Sequence, residues 1–140
     1  AGEVPEGIEP ARAAVEKAIN ELRAQLAPSK LVLGGFSQGA MLSTDLVLRT
    51  RVEVDGLLLM SGTLLAEQEW RPLAAGRKGL RAMVSHGTHD PLLPFGAAER
   101  LAAMLRDGGL EVDFVPFRGQ HEIPPVVLDH ASALVRRIAE

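Results

Sequence analysis

The chain has 140 residues, 46% hydrophobic and 24% charged, with a formal net charge of −3, the size and balance of one compact soluble domain that can bury a core. Its 15 Lys and Arg are scattered among 18 Asp and Glu, so nothing would neutralise a run of phosphates or hold an anionic bilayer, and nucleic acid is not an expected partner. With no cysteine, disulfides, thiolate metal sites and a thiol nucleophile are excluded, and the composition accords with a reducing cytoplasm.

No apolar run approaches the length of a membrane span, and Ala1 to Pro10 has neither the basic start nor the hydrophobic middle of a signal peptide. The expectation is a soluble, mature chain or a piece of a longer one. Val15, Ile19, Leu22 and Leu26 recur at helical spacing, predicting one amphipathic helix from near Pro10 that ends before Pro28. Leu31 to Gly34 reads as a short buried strand. From Gln38 to about Thr50 a helix is expected, with Met41, Leu42 and Leu46 facing the core. The continuous apolar run from Gly56 to Ser61 is that of a strand covered on both faces. Gly62 to Gly79 has weak periodicity and contains Trp70 and Pro72, which predicts a loop or short helix overhanging the site. Arg81–Ser85 and Val112–Phe117 read as two further strands. Between them a stripe of Ala98, Leu101, Ala102 and Leu105 stops at Asp107-Gly108-Gly109, and Val127, Ala131, Leu134 and Ile138 mark a closing helix. Strands alternating with helices predict an α/β fold, a mostly parallel sheet with helices on both faces and its chemistry at the carboxyl ends of the strands.

Gly35-Phe36-Ser37-Gln38-Gly39 follows the first strand and opens the next helix, the setting of a G-x-S-x-G nucleophile elbow. At such a turn the serine backbone is strained, and Gly35 and Gly39 are expected to remove side chains that would collide with strand and helix. Ser37 is then the candidate nucleophile. The helix start directs its dipole and free amides at the site, so the Gln38 N–H is the candidate oxyanion donor.

The base must reach the Ser37 hydroxyl and return the proton to a leaving group, work suited to imidazole. His121 lies in a loop entered from a strand and closed by Pro124 and Pro125, so it is the candidate base, whereas His130 within the last helix reads as structural. Asp90, in His86-Gly87-Thr88-His89-Asp90-Pro91, is the candidate acid. Asp45, Asp107, Asp113 and Asp129 read as solvated or capping residues, and Glu122 as a rim charge. Chain order Ser, Asp, His is that of an α/β-hydrolase. The rival is a metal held by His86, His89, Asp90 and His121, which would leave the elbow unexplained. The triad reading requires no metal and no cofactor. Leu64, Leu65 and Trp70 are candidate acyl-chain contacts, with core packing the competing reading for each.

These residues resemble the carboxylesterase, lysophospholipase and acyl-protein thioesterase group of serine hydrolases. The similarity is carried by Gly34-Gly35-Phe36-Ser37-Gln38-Gly39-Ala40, Leu59-Met60-Ser61-Gly62, His86-Gly87-Thr88-His89-Asp90-Pro91-Leu92-Leu93-Pro94 and Gly119-Gln120-His121-Glu122-Ile123. It implies a hydrolase of small-molecule esters or thioesters with Ser37, Asp90 and His121 as its triad. Family members usually have Gly where Ala40 stands, a change expected to be tolerated. They also carry earlier strands and a His-Gly loop that supplies a second oxyanion amide. The resemblance therefore implies that residues 1–140 are one α/β-hydrolase domain, the C-terminal portion of a longer fold lacking its N-terminal strands. The alternative is a truncated, non-catalytic binding module.

Overall fold

The computed structural model describes residues 7–140. Four parallel strands, β1 (Val32–Phe36), β2 (Gly56–Met60), β3 (Arg81–Gly87) and β4 (Glu111–Phe117), lie side by side in chain order. The register pairs Val32 with Gly56, Gly56 with Arg81 and Arg81 with Glu111. All four strands therefore start level at one edge of the sheet, and β3 and β4 continue past the ends of β1 and β2, to Gly87 and Phe117, at the other.

Right-handed crossovers that always step the same way put their connecting helices on one face. Accordingly α2 (Gln38–Arg49), α3 (Glu67–Ala74) and α4 (Phe95–Asp107) pack Val47, Leu48, Trp70, Leu101 and Leu105 against Leu57, Leu59, Ala82 and Val84. The opposite face is covered by α5 (Pro125–Ala139), whose Val127, Ala131 and Leu134 meet Leu58, Met60, Met83, Val115 and Phe117. The alternation along β2 explains its unbroken apolar run, since odd and even residues enter different cores.

Several expectations are corrected. The first helix, α1 (Ile8–Leu26), starts earlier than expected, and only part of its stripe is covered. Ile19 is buried against Leu46 and Val52 with Val15 beside it, while Leu22 and Leu26 are exposed. Of the loop or short helix expected between Gly62 and Gly79, residues 67–74 form the short helix, with Pro72 inside it, followed by a 3-10 turn at Ala75–Arg77. That helix lies on the sheet face between α2 and α4, not over the site, because Trp70 is drawn fully into the core.

Asp45 is also different from expectation: it is wholly buried. Its carboxylate accepts Arg12 Nη1–H at 2.6 Å and the Trp70 indole N–H at 2.9 Å, and it pairs with Arg49, which in turn pairs with Glu69. One acid thus joins α1, α2 and α3. Burial pushes the carboxyl up, but hydrogen bonds from Trp70, Arg49 and Arg12 outweigh it and hold Asp45 below the usual carboxylate range. Arg77 closes the end of α2 by donating to the carbonyls of Val47, Thr50 and Val52.

Removing the acid would leave two guanidinium groups and an indole N–H without their partner. Asp45→Ala is expected to cost about 3–5 kcal/mol in denaturant unfolding. Because the folded pKa is the lower one, the stability Asp45 contributes is present above its unfolded pKa and is lost as pH falls through the folded value. Asp45→Asn is therefore expected to flatten the acid side of the stability curve; an unchanged pH dependence would refute this.

Candidate functional site

β1 runs two residues further than expected, to Phe36, and the chain then turns at Ser37 with φ 59° and ψ −116°. A positive φ is a strained conformation for a residue bearing a side chain. It persists because the turn is fixed on both sides. The Ser37 N–H donates to Met60 O at 2.8 Å, continuing the sheet, and Ser37 O accepts the N–H groups of Ala40 and Met41, starting α2.

The tightness of the bend is visible at Gly35, where a Cβ would stand 2.3 Å from the Gly39 carbonyl. Gly39 itself differs from expectation, since a Cβ there would meet nothing within 4 Å. The crowding belongs to the Gly39 backbone and not to its missing side chain. The Ala40 methyl fits because position 62 is glycine: a Cβ at Gly62 would come within 2.8 Å of it.

The other two loops are pinned to each other. A Cβ on Gly87 would lie 2.2 Å from Gln120 O, the Thr88 N–H donates to Phe117 O, and the His89 N–H donates to Gly119 O. This contact brings the segment bearing His121 beside the one bearing Asp90. Ser61, buried with φ 54° at the end of β2, directs its hydroxyl at Glu122 O. Glu122 accepts the Gln120 N–H at 2.8 Å, which steadies the loop.

The result is a line of three side chains from three strand ends. His121 Nε2 is 3.0 Å from Ser37 Oγ, and His121 Nδ1 is 2.7 Å from Asp90 Oδ2. The Phe36 ring lies against the imidazole, centroids 4.7 Å apart. Asp90 Oδ1 accepts the N–H groups of Leu92 and Leu93 at 2.8 and 2.9 Å. Burial raises the Asp90 carboxyl, but the Leu93 amide, the His121 ring and the Leu92 amide together hold it below its ordinary value. An ionised Asp90 can only accept, so Nδ1 carries the proton and Nε2 presents its lone pair to the serine hydroxyl.

Among the described residues, no hydrogen bond uses the Gln38 N–H. Beside it a groove of about 340 Å³ is lined by Gly7, Ile8, Ala11, Met41, Leu42 and Leu65. Of the three residues read as acyl contacts, Leu65 lines this groove, while Leu64 and Trp70 are buried in the core cluster. Met41 and Leu42, expected to face the core, line the groove instead. Helical spacing marks an apolar face but not what lies opposite it, so sequence had no means of separating these two from Leu46.

His89 is exposed and its Nδ1 faces Thr88 Oγ1, and His130 pairs with Asp113 at 2.7 Å. Among the described residues, no group of three or more His, Asp or Glu side chains is arranged to hold a metal ion. No helix there is long and apolar enough to cross a membrane.

The chain resembles known proteins over most of its length. The phospholipase/carboxylesterase family model matches residues 3–138. Acyl-protein thioesterase 1 of Gibberella zeae is 30% identical over 122 residues, covering 84% of this chain and 52% of that protein. The crystal structure of esterase PE8 superposes with a TM-score of 0.84 at 27% identity, covering 94% of this chain and 62% of the other. The Zea mays acyl-protein thioesterase 2 structure shares the fold, with a TM-score of 0.82 at 20% identity, covering 100% of this chain and 69% of that one. The chain thus spans about half the length of the curated relatives it matches.

Two glycines of the elbow should respond in opposite ways. Gly35→Ala forces a Cβ into backbone and is expected to cost about 1–3 kcal/mol, whereas Gly39→Ala, in an open helical position, is expected to add roughly 0.5–1 kcal/mol. Urea unfolding of both variants checks the pair, and equal effects would contradict the described turn.

Proposed function

Because the chain belongs to the phospholipase/carboxylesterase family, we propose that it carries the Ser-His-Asp machinery of a serine hydrolase that cleaves carboxylic esters or thioesters through an acyl-enzyme. The observation that supports this best is the 3.0 Å and 2.7 Å relay at a serine with φ 59°.

In this reading Ser37 Oγ attacks the carbonyl carbon as His121 Nε2 takes its proton. Asp90 holds the imidazole through Nδ1–H and offsets the positive charge that forms. The Gln38 N–H, at the start of α2, donates to the developing oxyanion. Collapse expels the alcohol or thiol, which takes the proton from His121. Water then enters, loses a proton to His121 and attacks the acyl carbon, and Ser37 Oγ leaves with that proton as the carboxylic acid departs. The apolar groove beside Gln38, with Leu65 on its wall, suits the hydrocarbon part of an acyl group. Relatives bearing the name acyl-protein thioesterase favour including thioesters. No cofactor takes part, and a cytoplasmic setting fits the lack of cysteine.

A second reading is a non-catalytic module that binds a ligand in the groove beside Gln38.

A fluorophosphonate probe is expected to attach to Ser37, as located by peptide mapping, and to fail with Ser37→Ala and His121→Ala. Labelling that persists in either variant removes the assignment, and a folded protein that is never labelled supports the binding module. On p-nitrophenyl esters Asp90→Asn is expected to lower kcat by roughly ten-thousand-fold, with rates indifferent to chelators. Matched ester and thioester substrates then decide which acyl bond is preferred.

A further inference from the structure

His86, one residue before the end of β3, is fully buried, and the chemistry above makes no use of it. Its Nε2 lies 2.9 Å from Leu93 O and 3.3 Å from Asp90 Oδ2. A carbonyl oxygen only accepts, so the ring proton sits on Nε2 and donates to Leu93. Nδ1 has no hydrogen-bond partner among the described residues, which fits a lone pair there and gives this nitrogen no part in holding the ring.

This arrangement closes a small cage. Leu93 donates its N–H to Asp90 Oδ1 and accepts from His86 through its carbonyl, so the backbone of one residue links Asp90 to the buried ring. The hydrogen-bearing edge of His86 also stands beside the oxygen that holds His121. A carboxylate is otherwise free to swing about its χ2 torsion, which is broad for Asp. Here Oδ1 is fixed by two amides, while Oδ2 lies between two imidazoles.

We infer that His86 is a positioning residue for the reaction, holding the Asp90–Leu93 turn and the Asp90 carboxylate at the angle that orients His121. The inference rests on Asp90 being the acid of the proposed hydrolase.

Two measurements test it. Nitrogen-15 NMR of the unmodified protein is expected to show His86 with its proton on Nε2 and a bare Nδ1, a result that does not depend on activity; a proton on Nδ1 would overturn the inference even if Ser37 labels as proposed. The second test compares His86→Gln, whose amide nitrogen reaches the Nε2 position, with His86→Asn, whose shorter amide does not. The Asn variant is expected to lose roughly ten-fold in kcat, the effect of one ordinary hydrogen bond, with KM unchanged and the low-field His121 Nδ1 proton resonance shifted or broadened. The Gln variant is expected to retain most of the rate and the wild-type resonance. Equal behaviour of the two variants, or a loss confined to KM, would reduce His86 to a packing residue.

Discussion

Parallel register is the constraint on which the site depends. Because β1 to β4 start level with one another, their carboxyl ends fall along one edge, and the segments leaving β1, β3 and β4 have only a few residues in which to meet. Ser37 follows β1 directly, Asp90 stands three residues past β3 and His121 four past β4. A slip of one residue at the β3–β4 pairing would exchange the faces of every side chain on β4 and separate Gly87 from Gln120. The approach of those two backbones sets the spacing from Asp90 to His121.

Strain at Ser37 is tolerated for the same reason. The positive φ of Ser37 is tied to β2 through Met60 O and to α2 through Ser37 O, both parts of well-packed elements. The bend cannot relax without breaking the sheet ladder or the first helical turn. The rigid layers thus maintain an unfavourable backbone at the one position where it lifts a hydroxyl to the surface.

Three helices, α1, α2 and α3, are joined by a buried charge as well as by apolar packing. Asp45 accepts from Arg12, Arg49 and Trp70, so α1, α2 and α3 meet at a single carboxylate beneath the elbow helix. Such a group is costly to bury and becomes acceptable only when each oxygen is satisfied. Its placement on α2, whose first residue supplies the candidate oxyanion amide, links the order of the helix layer to that of the site.

The chain's own residues determined the alternation of strand and helix, the parallel α/β class, and the three residues that approach one another. Local signals sufficed there, since the elbow, the histidine loop and the aspartate loop each carry short motifs beside a recognisable strand. Only tertiary structure decided that Trp70 and Leu64 are core while Leu65, Met41 and Leu42 face the groove, that Asp45 is buried, and that His86 stands beside Asp90. Periodicity reports that a residue is apolar or that a helix has a face; which neighbour covers that face depends on how separate elements pack, and no local pattern encodes it.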